Sequence, residues 1–182
     1  MKLASRWQTE RLVLRCWTGD DAEALRAAID ASAAELRPWI PFMRHEPRTL
    51  EETRAWVRAR IEDHESGIRH FYAVTHEEVL VGEVMLLNGT PIEVPELGYW
   101  IHSHHTRRGY AAEACRRLMA EAVRAGAVAL ELRCSSGNEA SLALARTLGF
   151  AHVGTEPQSF ESPAGGMHDT ETWRFEPGST SD

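Results

Sequence analysis

Lysine is almost absent from this chain: of its twenty basic residues only Lys2 is a lysine, and the other nineteen are arginines. Arginine holds phosphates through forked hydrogen bonds that a lysine point charge cannot imitate, although the nucleotide composition of the source genome explains the same bias as readily. Cysteine is scarce too. Cys16, Cys115 and Cys134 are odd in number and show no C-x-x-C spacing, so neither a disulfide framework nor a zinc knuckle is indicated and a reducing cytoplasm fits. No stretch approaches the roughly 18 apolar residues of a spanning helix, and Met1 to Glu10 lacks the apolar centre of a secretion signal. A soluble, cytoplasmic protein without a membrane partner is expected. Positive charge is in deficit, with 20 basic residues against 27 acidic ones and a formal charge of −7. Nucleic acid is therefore not an expected partner, while a local basic site for one phosphate ligand is compatible with the balance. Neither G-x-G-x-x-G nor G-K-S/T occurs, which argues against dinucleotide binding and NTP hydrolysis. There is no internal repeat, low-complexity block or linker.

What is present is ordinary globular material: 182 residues, 43% hydrophobic and 26% charged, with six tryptophans. This length suits one core, so a single domain over residues 1–176 is expected, followed by a disordered tail at 177–182. Seven strands can be read, at Leu12–Arg15, Phe71–Val74, Val79–Leu87, Leu97–Ile101, Ala129–Cys134, Phe150–Val153 and Glu171–Phe175. Four helices separate them. Ala22, Leu25, Ala28 and Ile29 recur at helical spacing up to about Ala34, and Thr49-Leu50-Glu51-Glu52 forms a capping box for a helix ending near Gly67, with Trp56, Val57 and Ile61 as its buried stripe. Tyr110–Arg124 carries an apolar face and stops at Gly126, and Asn138 caps a helix running to Leu148. Leu36 to Met43 is apolar but holds Pro38 and Pro41, so it reads as an extended loop whose Trp39 invites a groove-lining role. Glu156 to Gly166 reads as a loop. Arg54 to Arg69 reads as a solvated helix face.

The most informative segment runs from Leu97-Gly98-Tyr99-Trp100-Ile101-His102 through Ser103 to Arg108 into Gly109-Tyr110-Ala111. A strand feeds a basic loop whose glycine opens a helix, so free backbone N–H groups and the positive helix end converge on one point suited to a pyrophosphate. Gly109 permits close approach of the backbone, and Arg107 and Arg108 add charge. His102, His104 and His105 cluster just before it. With no second ligand pair at recognisable spacing, no metal is expected there, and the histidines are read as flanking the ligand entrance.

Thr106-Arg107-Arg108-Gly109-Tyr110-Ala111 resembles the acyl-CoA pyrophosphate motif of the GNAT acetyltransferases, Q/R-x-x-G-x-G/A. Asn138-Glu139-Ala140-Ser141 with Leu148-Gly149-Phe150 resembles their second cofactor motif. With Thr9-Glu10-Arg11-Leu12-Val13-Leu14-Arg15, Trp39-Ile40-Pro41 and Glu96-Leu97-Gly98-Tyr99-Trp100, the pattern is similar to the RimJ/RimL type, which acetylates ribosomal-protein N-termini. The matches span nearly the whole chain. One position departs: Thr106 stands where the family usually has Gln or Arg.

The resemblance implies an α/β fold of the GNAT type, with a mixed, mostly antiparallel, splayed sheet of about seven strands flanked by about four helices. It implies acetyl-CoA as co-substrate without a metal, a primary amine as acceptor, most simply a protein N-terminus, and self-association into a homodimer. Pantetheine would pair with the free edge of the strand through Trp100, Ile101 and His102 while Arg107, Arg108, Gly109, Tyr110 and Ala111 hold the phosphates. Asn138 would bond to the pantetheine arm as well as cap its helix, and Arg146 would approach the phosphates unless it is a plain surface arginine. Ser141 matches the position that protonates the departing thiolate. An α-amine, with a pKa near about 8, is partly neutral in the cell whereas a lysine near about 10.4 needs a base. Glu96, Glu83 and Glu161 are the candidates for that base, or for contacts to the substrate, and spacing does not decide among them. The sequence is also compatible with two other readings: a non-catalytic acyl-CoA-binding module docking a partner through the Trp39 loop, and acetylation of a small amine.

Overall fold

A computed structural model describes residues 1–89, 91 and 93–178; most of the tail expected at 177–182 lies outside the described residues. Eight strands form one sheet: β1 (Arg6–Gln8), β2 (Val13–Cys16), β3 (His70–His76), β4 (Val79–Leu87), β5 (Glu96–Ile101), β6 (Leu130–Ser135), β7 (Ala151–Glu161) and β8 (Met167–Phe175). Their order is β1-β2-β3-β4-β5-β6-β8-β7, and every neighbouring pair is antiparallel except β5 with β6. Among the described residues five α-helices accompany it: α1 (Ala22–Ala31), α2 (Ala33–Leu36), α3 (Leu50–Ser66), α4 (Tyr110–Arg124) and α5 (Glu139–Thr147). None of these is long and apolar enough to cross a membrane.

Local chemistry accounts for the helix limits. The Thr49 hydroxyl accepts from the Glu52 N–H at 3.2 Å while Glu52 accepts from the Thr49 N–H at 2.7 Å, and Gly67 closes α3 in the left-handed conformation. Asn138 caps α5 by accepting from the Ser141 N–H at 3.1 Å. The two sheet faces bury separate cores. Leu14, Tyr72, Val84, Leu97 and Leu132 pack under α4 and α5, whereas Phe71, Ala73 and Trp100 pack with Leu25, Ile29 and Val57 of α1 and α3. Within α3 the buried positions are Thr53, Val57 and Arg60, and the expected Trp56 and Ile61 are only partly covered.

The structure adds one strand and one helix to the sequence reading. β1 is three residues long and buries only Trp7, too little for a periodic signal. The helix expected to reach Ala34 breaks at Ser32, after which α2 adds one turn. The prolines of the next segment do not leave it extended: Pro41–His45 winds into a 3-10 turn with Pro41 at its first position, where the missing N–H costs nothing. The loop expected over Glu156–Gly166 is mostly strand. β7 runs to Glu161 and β8 starts at Met167, yet β7 is exposed on both sides and contains Pro157, so it carries no alternation to read.

His70, on β3, sits 3% exposed with Nε2 3.0 Å from the Met1 carbonyl and Nδ1 3.2 Å from His64 Nδ1. Burial, then the neighbouring His64, push its pKa down to about 4. The folded state therefore holds this imidazole neutral while an unfolded chain protonates it near pH 6.5, so between those values unfolding takes up a proton and stability falls as pH falls. Thermal unfolding should show the midpoint dropping from pH 6.5 to 4, with a shallower drop in His70→Phe.

Candidate active site

β5 and β6 share a single registered pair, Glu96 with Glu131, and diverge beyond it. The gap becomes a cleft of ≈ 990 Å³ that passes through the sheet and opens on both faces. Backbone parity decides which groups line it. The His102 N–H donates to Val81 O at 2.9 Å, and the register pairs Trp100 with Glu83, so alternation turns the Trp100 and His102 amides into β4 and leaves those of Tyr99 and Ile101 on the open edge. On the same parity, Pro95 O accepts from the Glu131 N–H at 3.0 Å, just before the strands part. Gly82 makes the β4 side possible, since a Cβ there would lie 2.3 Å from Trp100 O.

At the wide end stands the N-terminus of α4. Gly109 is its cap, at φ +80° and without a side chain to cover the end, and the first intrahelical acceptor is Gly109 O, bonded by Glu113 N–H. The Tyr110, Ala111 and Ala112 amides precede that bond and point from the positive end of the dipole. Gly109, Tyr110, Ala111 and Arg107 line the cleft, as does His105, whose buried Nδ1 has no hydrogen-bond partner among the described residues. Burial, then Arg108, lower the His105 pKa. Arg108 is not among the lining residues, but its carbonyl is bonded by Arg11 at 2.9 Å. Thr106, the departure from the motif, spends its hydroxyl on Ser103 O at 3.0 Å. His102 accepts from the His104 N–H at 3.1 Å, and among the described residues no His, Cys, Asp or Glu group is arranged to hold a metal.

Along the α5 side of the gap lie Asn138, Ala140, Ser141 and Leu144, facing Tyr99 and Cys134 across the cleft. Ser141 is 5% exposed. Burial raises the Tyr99 and Cys134 pKa values, and in each case a hydrogen-bonding interaction with Ser141 opposes that rise. Both groups are thus protonated at neutral pH beside the serine. Tyr99 was not singled out from the sequence; the signal was its alternation with Leu97 and Ile101 onto the α4–α5 face.

Glu96 lies on the opposite face, at the apex where β5 and β6 part, and lines the cleft. Burial raises its pKa, Arg133 opposes that and Glu131 adds to it. About 17 Å of extended strand separates Glu96 from Ile101. The roof of this half is aromatic: Trp39, Phe42, Trp56 and Phe160 all line it. The Trp39 loop is pinned from several directions, with Trp39 over Gly137 and edge-on to His168, Pro38 O accepting from Ser162 Oγ at 3.0 Å, and Arg44 bridging Glu161 at 3.6 Å.

Besides Arg108 and His102, neither of which lines the cleft, three further sequence candidates fall elsewhere. Glu83 is 1% exposed and has both oxygens engaged, by Arg60 Nε at 2.6 Å, Trp17 Nε1 at 2.8 Å, Arg60 Nη2 at 3.1 Å and Trp100 Nε1 at 3.2 Å, so it offers substrate no free acceptor. Glu161 is exposed at the rim, while the neighbouring Phe160 faces inward. Arg146 stacks over Trp173 at 5.3 Å instead of facing the cleft. At 100° per residue, Ala140, Leu144 and Thr147 share the cleft-facing stripe and Arg146 does not.

The family model described as an acetyltransferase (GNAT) domain matches residues 11–151, and the chain belongs to that family. Among solved structures it is similar to RimL, a ribosomal L7/L12 α-N-protein acetyltransferase in complex with coenzyme A, at 22% identity, with 92% of this chain and 95% of that one covered and a TM-score of 0.86. It is also similar to the microcin C7 self-immunity acetyltransferase MccE in complex with acetyl-CoA and AMP (16% identity, 92% and 93% covered, TM-score 0.84). A third is the ribosomal-protein-S5-alanine acetyltransferase of Vibrio fischeri (17% identity, 98% and 100% covered, TM-score 0.84). Comparison with curated protein sequences finds no match.

Proposed function

We propose that this chain transfers the acetyl group of acetyl-CoA to a primary amine, with a protein or peptide N-terminal α-amine as the acceptor. The single observation that carries the reading is the cleft through the sheet, with a buried hydroxyl, Ser141, on one face and a half-buried carboxylate of raised pKa, Glu96, on the other. The relatives named above include a ribosomal L7/L12 α-N-protein acetyltransferase and a ribosomal-protein-S5-alanine acetyltransferase, which supports a protein amine as the acceptor class.

The pyrophosphate of the donor binds the free amides of α4 together with Arg107, and the pantetheine arm pairs with the open edge of β5 as an added strand. The amine enters from the aromatic half. Its nitrogen lone pair forms the N–C bond to the thioester carbonyl, whose π electrons move to oxygen, where an open β5 amide, of Tyr99 or Ile101, stabilises the charge. Collapse breaks the C–S bond. The sulfur receives the Ser141 proton, and the proton lost by the amine passes along water in the cleft to Glu96 and on to solvent, from which the serine is reprotonated. The Trp39 loop is pinned into this wall, which favours a role in shaping the acceptor site over that of a free docking arm.

A mass-spectrometric panel tests the acceptor. Peptides with free α-amines should gain 42 Da with acetyl-CoA, an addition of C2H2O calculated from atomic masses (~42), whereas lysine peptides with blocked N-termini should gain little. Modification of small amines alone would replace this reading with the small-molecule one.

The carboxylate carries its own pH prediction. Glu96 accepts a proton only when ionised, and its raised pKa means that this form is lost, on acidification, at a higher pH than for an ordinary carboxylate. The acid limb of kcat/KM should lie above the ordinary carboxylate range, and Glu96→Gln should abolish that limb while leaving the limb set by the amine itself near about pH 8.

A further inference from the structure

The anion site at the start of α4 contains an acidic residue in its first turn, Glu113, one turn after the cap Gly109. A carboxylate there suits a bare helix dipole but opposes a second, larger anion at the same end. Glu113 is also ionised: burial alone would raise its pKa, but the Thr9 hydroxyl and the Arg11 amide and guanidinium outweigh that and lower it. Every polar contact made by the carboxylate turns to the N-terminal segment. Thr9 Oγ1 donates to Oε1 at 2.5 Å, Arg11 N–H to Oε1 at 2.9 Å and Arg11 Nε to Oε2 at 2.7 Å, with Nη2 also 2.7 Å from Oε2.

The same guanidinium does more. Its Nη1 donates to Arg108 O at 2.9 Å, taking the carbonyl of the residue before the cap out of the loop's field. Its Nη2 lies 3.3 Å from where a Cβ of Gly109 would be, so the cation sits against the cap itself. The plane also faces the Tyr110 ring at 5.0 Å. Arg11 is 97 residues from Arg108 in sequence and is not a lining residue of the cleft.

We propose that Arg11 is a positioning residue for the phosphates of the donor: it neutralises Glu113 and holds Arg108 O, so that the α4 N-terminus presents a net positive field to a pyrophosphate. This rests on the reading of that helix end as the acetyl-CoA site. The opposing account is that Arg11–Glu113 is only a staple between the N-terminal segment and α4, and the two differ in what happens when both charges are removed.

The experiment is calorimetric titration of acetyl-CoA into the full-length parent, Arg11→Gln and Arg11→Gln/Glu113→Gln, at two salt concentrations, beside thermal melts of each. Arg11→Gln leaves Glu113 uncompensated, and its Kd should rise roughly tenfold. The double variant lacks the staple but also lacks the repelling charge, so its Kd should return to within about threefold of the parent even if its melting temperature does not recover. Screening should narrow the gap between the single variant and the parent at higher salt. A double variant as weak as the single one, or a single variant with parental Kd, overturns the proposal. If Arg11→Gln does not fold, Glu113→Gln decides: it leaves the Arg11 charge unopposed at the helix end, so Kd should fall about threefold at low salt and return towards the parent at higher salt, and a parental Kd at low salt ends the proposal. A parent that fails to bind acetyl-CoA would instead remove the donor-site reading, which is a separate outcome.

Discussion

Ser141→Ala should lower kcat by about two orders of magnitude while leaving acetyl-CoA affinity within about threefold of the parent, because the serine is proposed to supply a proton only as the C–S bond breaks. The local geometry makes this a clean substitution. The cap of α5 is the bond from the Ser141 backbone N–H to Asn138 Oδ1, at 3.1 Å, so alanine keeps the cap and removes only the hydroxyl. A thiol with a pKa of about 8.5 leaves slowly as an unassisted thiolate, and the nearby Tyr99 hydroxyl, held protonated by burial, is the group able to take over part of the task. Steady-state kinetics with the best acceptor from the peptide panel, beside calorimetry of donor binding, measure the two parameters separately. Parental kcat in Ser141→Ala would remove the serine from the mechanism.

Glu83→Ala should destabilise the protein by about 3–5 kcal/mol, the usual result of deleting one partner of a buried ion pair. For a chain of this size that corresponds to roughly 10–15 °C in melting temperature. Arg60 is 5% exposed and lies with its guanidinium 3.7 Å from the Trp56 ring and 4.5 Å from that of Phe71. Without Glu83 it keeps those faces but loses its counter-charge, and Trp17 and Trp100 lose the acceptor of their indole N–H groups. Urea unfolding should report the loss, and the paired change Glu83→Leu with Arg60→Met should recover a large part of it, since no buried charge then remains. A single variant within 1 kcal/mol of the parent, roughly the mean for any substitution, would mean that the pair is not effectively buried.

The residues most legible in the sequence were those that act through backbone geometry. Gly109 after a basic loop announced a helix end with free amides, and Thr49 with Glu52, and Asn138, announced their caps, because each signal is local and chemical. Contacts across long sequence separations left no such trace. Glu83 follows a glycine on a strand beside β5 and reads as available, yet its partners are Trp17 in the loop after β2, Arg60 on α3 and Trp100 on β5. The charge-rich Arg54–Arg69 stretch read as a wet face, and Arg60 from that stretch is buried because aromatic rings and one carboxylate replace its water. Parity was equally hidden: whether Trp100 or Ile101 turns its amide to the gap depends on the register with β4, which pattern alone does not fix. The long β7–β8 hairpin was missed for the converse reason, since its pairing is maintained between strands that carry almost no apolar alternation.

A sheet joined across its centre by the single pair Glu96–Glu131 is mechanically two half-sheets that share a hinge line. Filling that gap with a pantetheine arm would supply the hydrogen-bonding column that the chain itself omits, so the donor would act as a removable structural member as well as a reactant. Its arrival should couple the two halves: amides of β5 and β6 should gain protection from hydrogen exchange together, and melting temperature should climb with donor concentration according to ordinary ligand linkage. Occupancy of the gap by the pantetheine arm would then govern the stiffness of the enzyme during turnover, with the acceptor meeting a rigid wall only after the donor is in place.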